Sequence, residues 1–251
     1  MTGVKDRVAL VTGGGRGIGK AAALLLASRG ARVMCASRSE RELAGVGLDY
    51  VVADLGDPAG CEHAVAETVR RLGPIDIVVC NHGIGSAHER VVWEQAPETW
   101  AETMRINLDG PFHLSRFVLP GMVERGYGRF VFTSSTAGLV AEYAGSAYNA
   151  SKHGLLGLMR SVAEDSGAHG ITSNAVLPGW VHTEMAERSA KAEAQKRGVT
   201  TDQVWKERAA LYRPGRVATP EEVAEVIAFL ASEESSGVSG EAIRVALGSV
   251  W

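Results

Sequence analysis

Short runs of consecutive apolar residues alternate along the chain with longer segments whose apolar positions recur at helical spacing. The apolar runs fall at 7–11, 32–36, 50–53, 76–80, 129–133, 172–177 and 242–245. Some, such as Ile77-Val78-Val79, place apolar side chains at successive positions, as strands covered on both faces do. Between them the spacing predicts helices over 17–28, 58–72, 97–124, 146–166 and 220–231, with a brief one near 39–44. The last opens on Thr219-Pro220-Glu221-Glu222, which offers an N-cap threonine, a first-position proline and acids in the first turn.

Strands alternating with helices predict an α/β fold: a doubly wound, Rossmann-like parallel sheet of about seven strands with helices on both faces. Neither a repeat nor a linker interrupts the pattern, so residues 1–251 read as one domain. The polar, helix-prone segment 183–216 follows the sixth strand. An insertion at that edge of such a sheet predicts a substrate lid.

Composition excludes several function classes. With 45% hydrophobic residues the chain can bury a sizeable core. A net charge of −3 without a basic block argues against nucleic acid or an anionic membrane surface as partner. An apolar run of about 18 residues, enough to span a bilayer, is also lacking. Cys35, Cys61 and Cys80 are too few and too scattered for a disulfide framework or a zinc site, and fit a reducing cytoplasm. The seven histidines show no metal-ligand spacing, so no metal is expected.

The first strand runs directly into Thr12-Gly13-Gly14-Gly15-Arg16-Gly17-Ile18-Gly19 and then a helix. Glycines suit a sharp turn whose backbone must approach a pyrophosphate, and N–H groups at the helix start then face that anion. A generic tight turn would read the same, but the position after an amino-terminal strand favours cofactor binding. The second strand ends at Ser37-Arg38 rather than at a carboxylate. A carboxylate there would hold a ribose diol and repel a 2′-phosphate. Arg38 and Arg16 flank the ribose position, which favours NADP(H) and leaves NAD(H) open.

In Tyr148-Asn149-Ala150-Ser151-Lys152 a spacing of four puts phenol and ammonium on one helical face. A free phenol titrates near ~10, and bringing it to about 7 takes roughly 4 kcal/mol of differential interaction. Such a pair alone is commonly just a surface feature. Here Ser135 precedes Tyr148 by thirteen positions, Asn107 lies in the long helix before that strand, and Pro178-Gly179-Trp180-Val181-His182-Thr183 follows the sixth strand.

With these residues in view, the chain resembles the short-chain dehydrogenase/reductase family over essentially its whole length. The matching positions are the Thr12–Gly19 loop, Asp54-Leu55, Asn81, Gly83, Asn107, Ser135, Tyr148, Lys152, Asn174 and Pro178-Gly179. The resemblance implies that Tyr148 is the general acid/base and that Lys152 lowers its pKa and holds the ribose hydroxyls. It implies that Ser135 orients the substrate oxygen and that Asn107 anchors a water joining Lys152 to solvent. Asp54 and Leu55 would flank the adenine, and Val181 and Thr183 would bracket the carboxamide. Most relatives are homotetramers built on two long helices, here 97–124 and 146–166.

Two departures stand out. The family's Asn-Asn-Ala-Gly turn reads Cys80-Asn81-His82-Gly83, and its carboxyl-terminal Asp/Asn-Gly-Gly reads Ala246-Leu247-Gly248. His82 and His153 fall near the expected site, where a packing or hydrogen-bonding role outweighs a catalytic one. Trp180, Met185, Trp205, Leu211 and Tyr212 could line a substrate pocket or form the lid's own core. The expected substrate is a small carbonyl or alcohol compound, in a 3-oxoacyl reductase-like or general ketone reductase reaction. The alternatives are an NAD-dependent secondary alcohol or 3-hydroxyacid dehydrogenase, and a non-catalytic cofactor-binding relative.

Overall fold

A computed structural model describes residues 3–86 and 90–248; residues 1–2, 87–89 and 249–251 of the expected 1–251 unit lie outside the description. All seven predicted strands form, as β1 (Val8–Thr12), β2 (Arg32–Ser37), β3 (Asp49–Val52), β4 (Ile77–Cys80), β5 (Gly128–Thr133), β6 (Ile171–Pro178) and β7 (Ala242–Val245). They make one sheet in the order β3-β2-β1-β4-β5-β6-β7, parallel throughout.

The runs of successive apolar residues are explained by burial on both faces. Val8 and Leu10 enter one core layer with Val78, Phe130, Phe132 and Leu177; Ala9 and Val11 enter the other with Ile77, Val79, Val131 and Val176. The helices are α1 (Gly17–Ser28), α2 (Glu40–Ala44), α3 (Pro58–Leu72), α4 (Pro97–Met104), α5 (Gly110–Arg125), α6 (Ser146–Ser166), α7 (Glu184–Arg197), α8 (Thr201–Ala210) and α9 (Pro220–Leu230). The first core layer takes residues from α3, α5 and α6, and the second from α1 and α9.

The predicted helix 97–124 is divided. A π turn at Arg105–Asp109 separates α4 from α5. Its cause is legible in hindsight: Pro111 has no N–H, so the carbonyl of Asn107, four residues earlier, loses its α-helical donor. Segment 183–216 carries α7 and α8, which enclose a small cluster of Ala190, Ala194 and Val204 with Trp205 packed on it.

At the carboxyl end Ala246 is buried and Leu247 packs on the second core layer. Leu247 takes φ +48°, where the family pattern has glycine, a conformation costing an L-residue roughly 1–2 kcal/mol. Helix α9 starts with a complete capping box: Thr219 Oγ1 accepts from Glu222 N, and Thr219 N donates to Glu222 Oε2 at 2.9 Å. Thr219→Ala is expected to lower stability by about 1 kcal/mol. The check is a reduced urea midpoint with an unchanged denaturant slope.

Candidate active site

All strands point the same way, so their carboxyl ends share one edge. The chain moves outward in both directions from β1, which opens a crevice at that edge between β1 and β4. A cleft of about 740 Å³ lies there, within the usual size of ligand sites. Every residue predicted for the cofactor or for catalysis borders it except Gly19 and Asn107, which sit behind its wall.

Thr12 organises the floor. Its Oγ1 donates to Val79 O (3.0 Å) and accepts from the Asn81 and His82 amides at 2.9 and 3.2 Å. Asn81 Nδ2 in turn donates to Thr12 O at 3.2 Å, so the turns after β1 and β4 are laced together. Gly13, at φ +65°, has no room for a side chain: a Cβ would stand 2.9 Å from Asn81 Nδ2. A Cβ on Gly19 would overlap the Gly13 carbonyl oxygen, which gives this glycine a packing role rather than a place on the cleft. The first turn of α1 has neither a side-chain cap nor an acidic residue, and Gly17 at its start borders the cleft with Gly13 and Gly15 of the preceding loop. Two hydroxyl oxygens on the cleft wall, Ser37 Oγ and Thr133 Oγ1, are enclosed without a partner among the described residues. Uncapped amides, glycine-lined backbone and unused hydroxyls all fit an extended dinucleotide.

Asp54 closes one end of the cleft. Burial opposes its ionisation, but the Gly56 amide and the Arg105 guanidinium hold its carboxyl below the ordinary range. Leu55 lies beside it. Arg38, at the neighbouring end of β2, is exposed, with no carboxylate at ion-pair distance among the described residues. Arg16 is engaged: its Nη1 lies 2.8 Å from Glu42 Oε1 and 3.8 Å from Glu184 Oε2.

At the other end α6 sets Tyr148 and Lys152 one turn apart, with the ammonium 5.7 Å from the phenol ring centroid. Lys152 is 5% exposed and donates to Thr133 O at 3.0 Å. Burial pushes its pKa down to about 8, which leaves it charged at neutral pH. Ser135, just past β5, accepts from the Ala137 amide at 3.1 Å, which leaves its own hydroxyl proton free to donate. Neighbouring Ser134 instead donates to Lys152 O at 3.0 Å.

Asn107 is fully buried. Its Oδ1 accepts from Ile84 N (2.8 Å), and its Nδ2 donates to Ile84 O and Ser151 Oγ at 3.0 and 3.2 Å. These bonds press the Gly83–Ile84 backbone toward Lys152: a Cβ on Gly83 would meet Asn107 Oδ1 at 3.1 Å and Lys152 Nζ at 3.6 Å. Beyond the sixth strand, Trp180 N donates to Tyr212 Oη at 2.6 Å and Val181 bridges to Ala218. Thr183 caps α7 by accepting from Ala186 N, and lies against Gly17.

The two readings of the aromatic residues divide by position. Trp180 and Met185 face the cleft, Trp205 and Tyr212 belong to the packing around it, and Leu211 is exposed. The charges Glu42, Glu142, Glu184 and Arg188 also border the cleft, and sequence reasoning missed them. Only Glu42 carries a local signal, as the last residue of a Ser39-x-x-Glu42 capping pattern. His153 is exposed and bonded to its own helix.

A parallel sheet whose glycine turn, strand-end serine and helical Tyr–Lys pair share one cleft defines a dinucleotide-dependent oxidoreductase. Residues 13–249 match the family model described as enoyl-(acyl carrier protein) reductase, and the chain belongs to the short-chain dehydrogenase/reductase family. It is 36% identical over 247 residues to D-beta-hydroxybutyrate dehydrogenase of Cupriavidus necator, covering 94% of this chain and 95% of that one. It is 32% identical to 3-oxoacyl-[acyl-carrier-protein] reductase of Escherichia coli, covering 96% of each. Among solved structures, an actinorhodin polyketide ketoreductase variant with NADPH superposes with a TM-score of 0.91 at 34% identity, covering 97% and 98%. The chain is accordingly an oxidoreductase acting on CH–OH and ketone groups.

His82 accounts for one departure from the family pattern. Its Nδ1 lies 2.8 Å from Thr12 Oγ1, so the ring joins the floor rather than the chemistry. Burial, then the Lys152 charge, pushes its pKa down to about 4. An unfolded histidine titrates near 6.5, so between these values the unfolded chain holds a proton that the folded one lacks. Stability should therefore fall as pH drops from 6.5 to 4, by on the order of 2–3 kcal/mol from this residue. Urea unfolding at pH 7 and pH 5 checks this: His82→Ala should lose less stability between them than the parent. Equal losses would assign the acid sensitivity elsewhere.

Proposed function

We propose that the chain transfers a hydride between NADP(H) and a carbonyl or secondary alcohol substrate, with Tyr148 as general acid/base. The observation that carries this reading is the buried Lys152 ammonium one helical turn from Tyr148, on a cleft that also holds Ser135. The nicotinamide, when bound, supplies or accepts the hydride. Negative charge then builds on the substrate oxygen. Ser135 donates a hydrogen bond to that oxygen and Tyr148 donates its proton. In the oxidation direction Tyr148 takes the proton back, and the Lys152 charge favours the phenolate that this requires. Asn107 keeps the Gly83–Ile84 backbone beside Lys152. Asn107 would also anchor a water on the way from Lys152 to solvent.

At the cofactor end, Gly13, Gly15, Gly17 and Ile18 take the pyrophosphate at the α1 amino terminus. Asp54 and Leu55 flank the adenine, Asn81 and Gly83 lie beside the ribose on the Lys152 side, and Pro178 and Gly179 complete the wall where Val181 and Thr183 bracket the carboxamide. Arg38, with Ser37 beside it, reads the 2′-phosphate; the solved relative with NADPH supports this preference. Segment 183–216 serves as the substrate lid, with Trp180 and Met185 as apolar walls suited to a ketone of small or medium size. A homotetramer in the cytoplasm completes the reading, and exposed Trp100 and Phe112 on α4 and α5 supply apolar surface for subunit contact.

A second reading, an NAD-dependent 3-hydroxyacid dehydrogenase, is favoured by the similarity to D-beta-hydroxybutyrate dehydrogenase and by the engagement of Arg16 with Glu42. A spectrophotometric screen of NADPH and NADH oxidation against ketones, thioesters and 3-oxoacids separates the two. Complete inactivity across the panel would leave a cofactor-binding protein without turnover.

Tyr148→Phe is expected to cut turnover by at least about 10²–10⁴-fold while dinucleotide affinity stays within a few-fold. A variant keeping most of its rate would remove Tyr148 from the acid/base role. Arg38→Asp should shift the ratio of kcat/KM values from NADPH toward NADH by roughly 10–100-fold, the size of a lost charge-assisted hydrogen bond. An unchanged ratio would assign the phosphate to other residues.

A further inference from the structure

Glu42 lies on α2, facing the glycine loop across the adenosine end of the cleft. The pattern Ser39-x-x-Glu42 specifies a capping box, in which Glu42 would bend back to the Ser39 amide. Only half of that box forms: Ser39 Oγ accepts from Glu42 N at 3.4 Å. The Glu42 carboxylate instead takes Arg16 Nη1 at 2.8 Å. The same motif at Thr219–Glu222 closes both halves, so the diversion belongs to this location and not to the motif.

The backbone is shaped to allow it. A Cβ on Gly15 would stand 3.0 Å from Glu42 Cβ, so loop and helix approach to van der Waals contact only because residue 15 is glycine. A second carboxylate, Glu184 at the start of α7, lies 3.8 Å from the same Arg16 nitrogen. Arg38, at the end of β2, has no such partner among the described residues. The two arginines that flank the ribose are therefore unequal: one is offered to an anion and the other already holds one.

We propose that Glu42 is a specificity-determining residue: its carboxylate competes with a 2′-phosphate for Arg16, leaves Arg38 as the principal reader of that phosphate, and narrows the preference between phosphorylated and plain dinucleotides. The proposal rests on the reading of this cleft as a dinucleotide site. A plain ribose makes no claim on Arg16, so the Arg16–Glu42 pair persists when NADH binds. A 2′-phosphate brings about two negative charges beside Glu42 and must draw Arg16 away from it. Arg16 and Glu42 are 37% and 32% exposed, so water and salt screen the pair and the effect is moderate.

Fluorescence titration of the protein with NADPH and with NADH, without substrate, tests this through binding alone. Glu42→Gln keeps size and helix while removing the charge. It should tighten NADPH about two- to fivefold, the range of an exposed ion pair, and move NADH by less than the error of the titration. In an Arg16→Met background the same substitution should give a clearly smaller gain, because only the direct repulsion between Glu42 and the phosphate is left to relieve. Raising the salt concentration should shrink the difference between parent and Glu42→Gln. If both dinucleotides bind and Glu42→Gln leaves their affinity ratio unchanged, Glu42 does not set the preference. A gain of the same size in the Arg16→Met background would equally overturn the competition. If neither dinucleotide binds the parent protein, the dinucleotide reading of the cleft fails, and this proposal with it.

Discussion

The site depends on keeping one ammonium charged inside the protein. Lys152 is almost wholly buried, and among the described residues no carboxylate pairs with it. An uncompensated buried charge is costly, and burial accordingly pushes the Lys152 pKa down to about 8. What offsets it is polar but uncharged: the Thr133 carbonyl at 3.0 Å and the Tyr148 ring face. A carboxylate partner would have stabilised the lysine more and removed its positive field from the phenol. Neutral partners leave that field available to Tyr148.

This arrangement constrains the scaffold. Thr133 is the last residue of β5, Ser134 ties its hydroxyl to the Lys152 carbonyl, and Ser135 turns its hydroxyl toward the cleft, so three consecutive residues link sheet, helix and site. Such precision needs β5 to be central and immobile. It pairs with β4 and β6, and its Phe130 and Phe132 are fully buried. The parallel order then brings the β1 and β4 turns to the same edge, where Thr12 joins them.

Much of this was legible from sequence because it rests on period and punctuation. The strands announce themselves as apolar runs, and α1, α3 and α6 match their predicted limits. The division of the 97–124 helix was missed although Pro111 encodes it, because an apolar period continues across the break while the hydrogen-bond ladder does not. Contacts between distant segments were illegible for a different reason. Neither Arg208 nor Glu42 has a sequence neighbour that reveals its partner. Arg208, 5% exposed, stacks 3.6 Å from the Trp180 ring and bonds Glu193, Ser189 and the Ala186 carbonyl, binding α8 to α7 and to the cleft wall. A periodic reading puts such an arginine on the surface.

The two ends of the cleft obey different electrostatics, and this orders what evolution or engineering can change. Around Tyr148 most of the polar groups are buried, and Lys152, Asn107, Ser134 and Ser151 each hold a defined partner. Removing one leaves another unpaired in a low-dielectric interior, where the loss is large and adjustment is slight. At the other end, where the proposed function puts the ribose, the groups are Arg16, Arg38, Glu42 and Glu184, all partly or largely exposed. Water screens them, so exchanging a charge there changes an affinity by small steps and leaves the fold intact. On the proposed reading, the chemistry is thus held by the interior and the choice of cofactor falls to the surface. A chain of this architecture can drift between phosphorylated and plain dinucleotides while its proton-transfer end stays as it is.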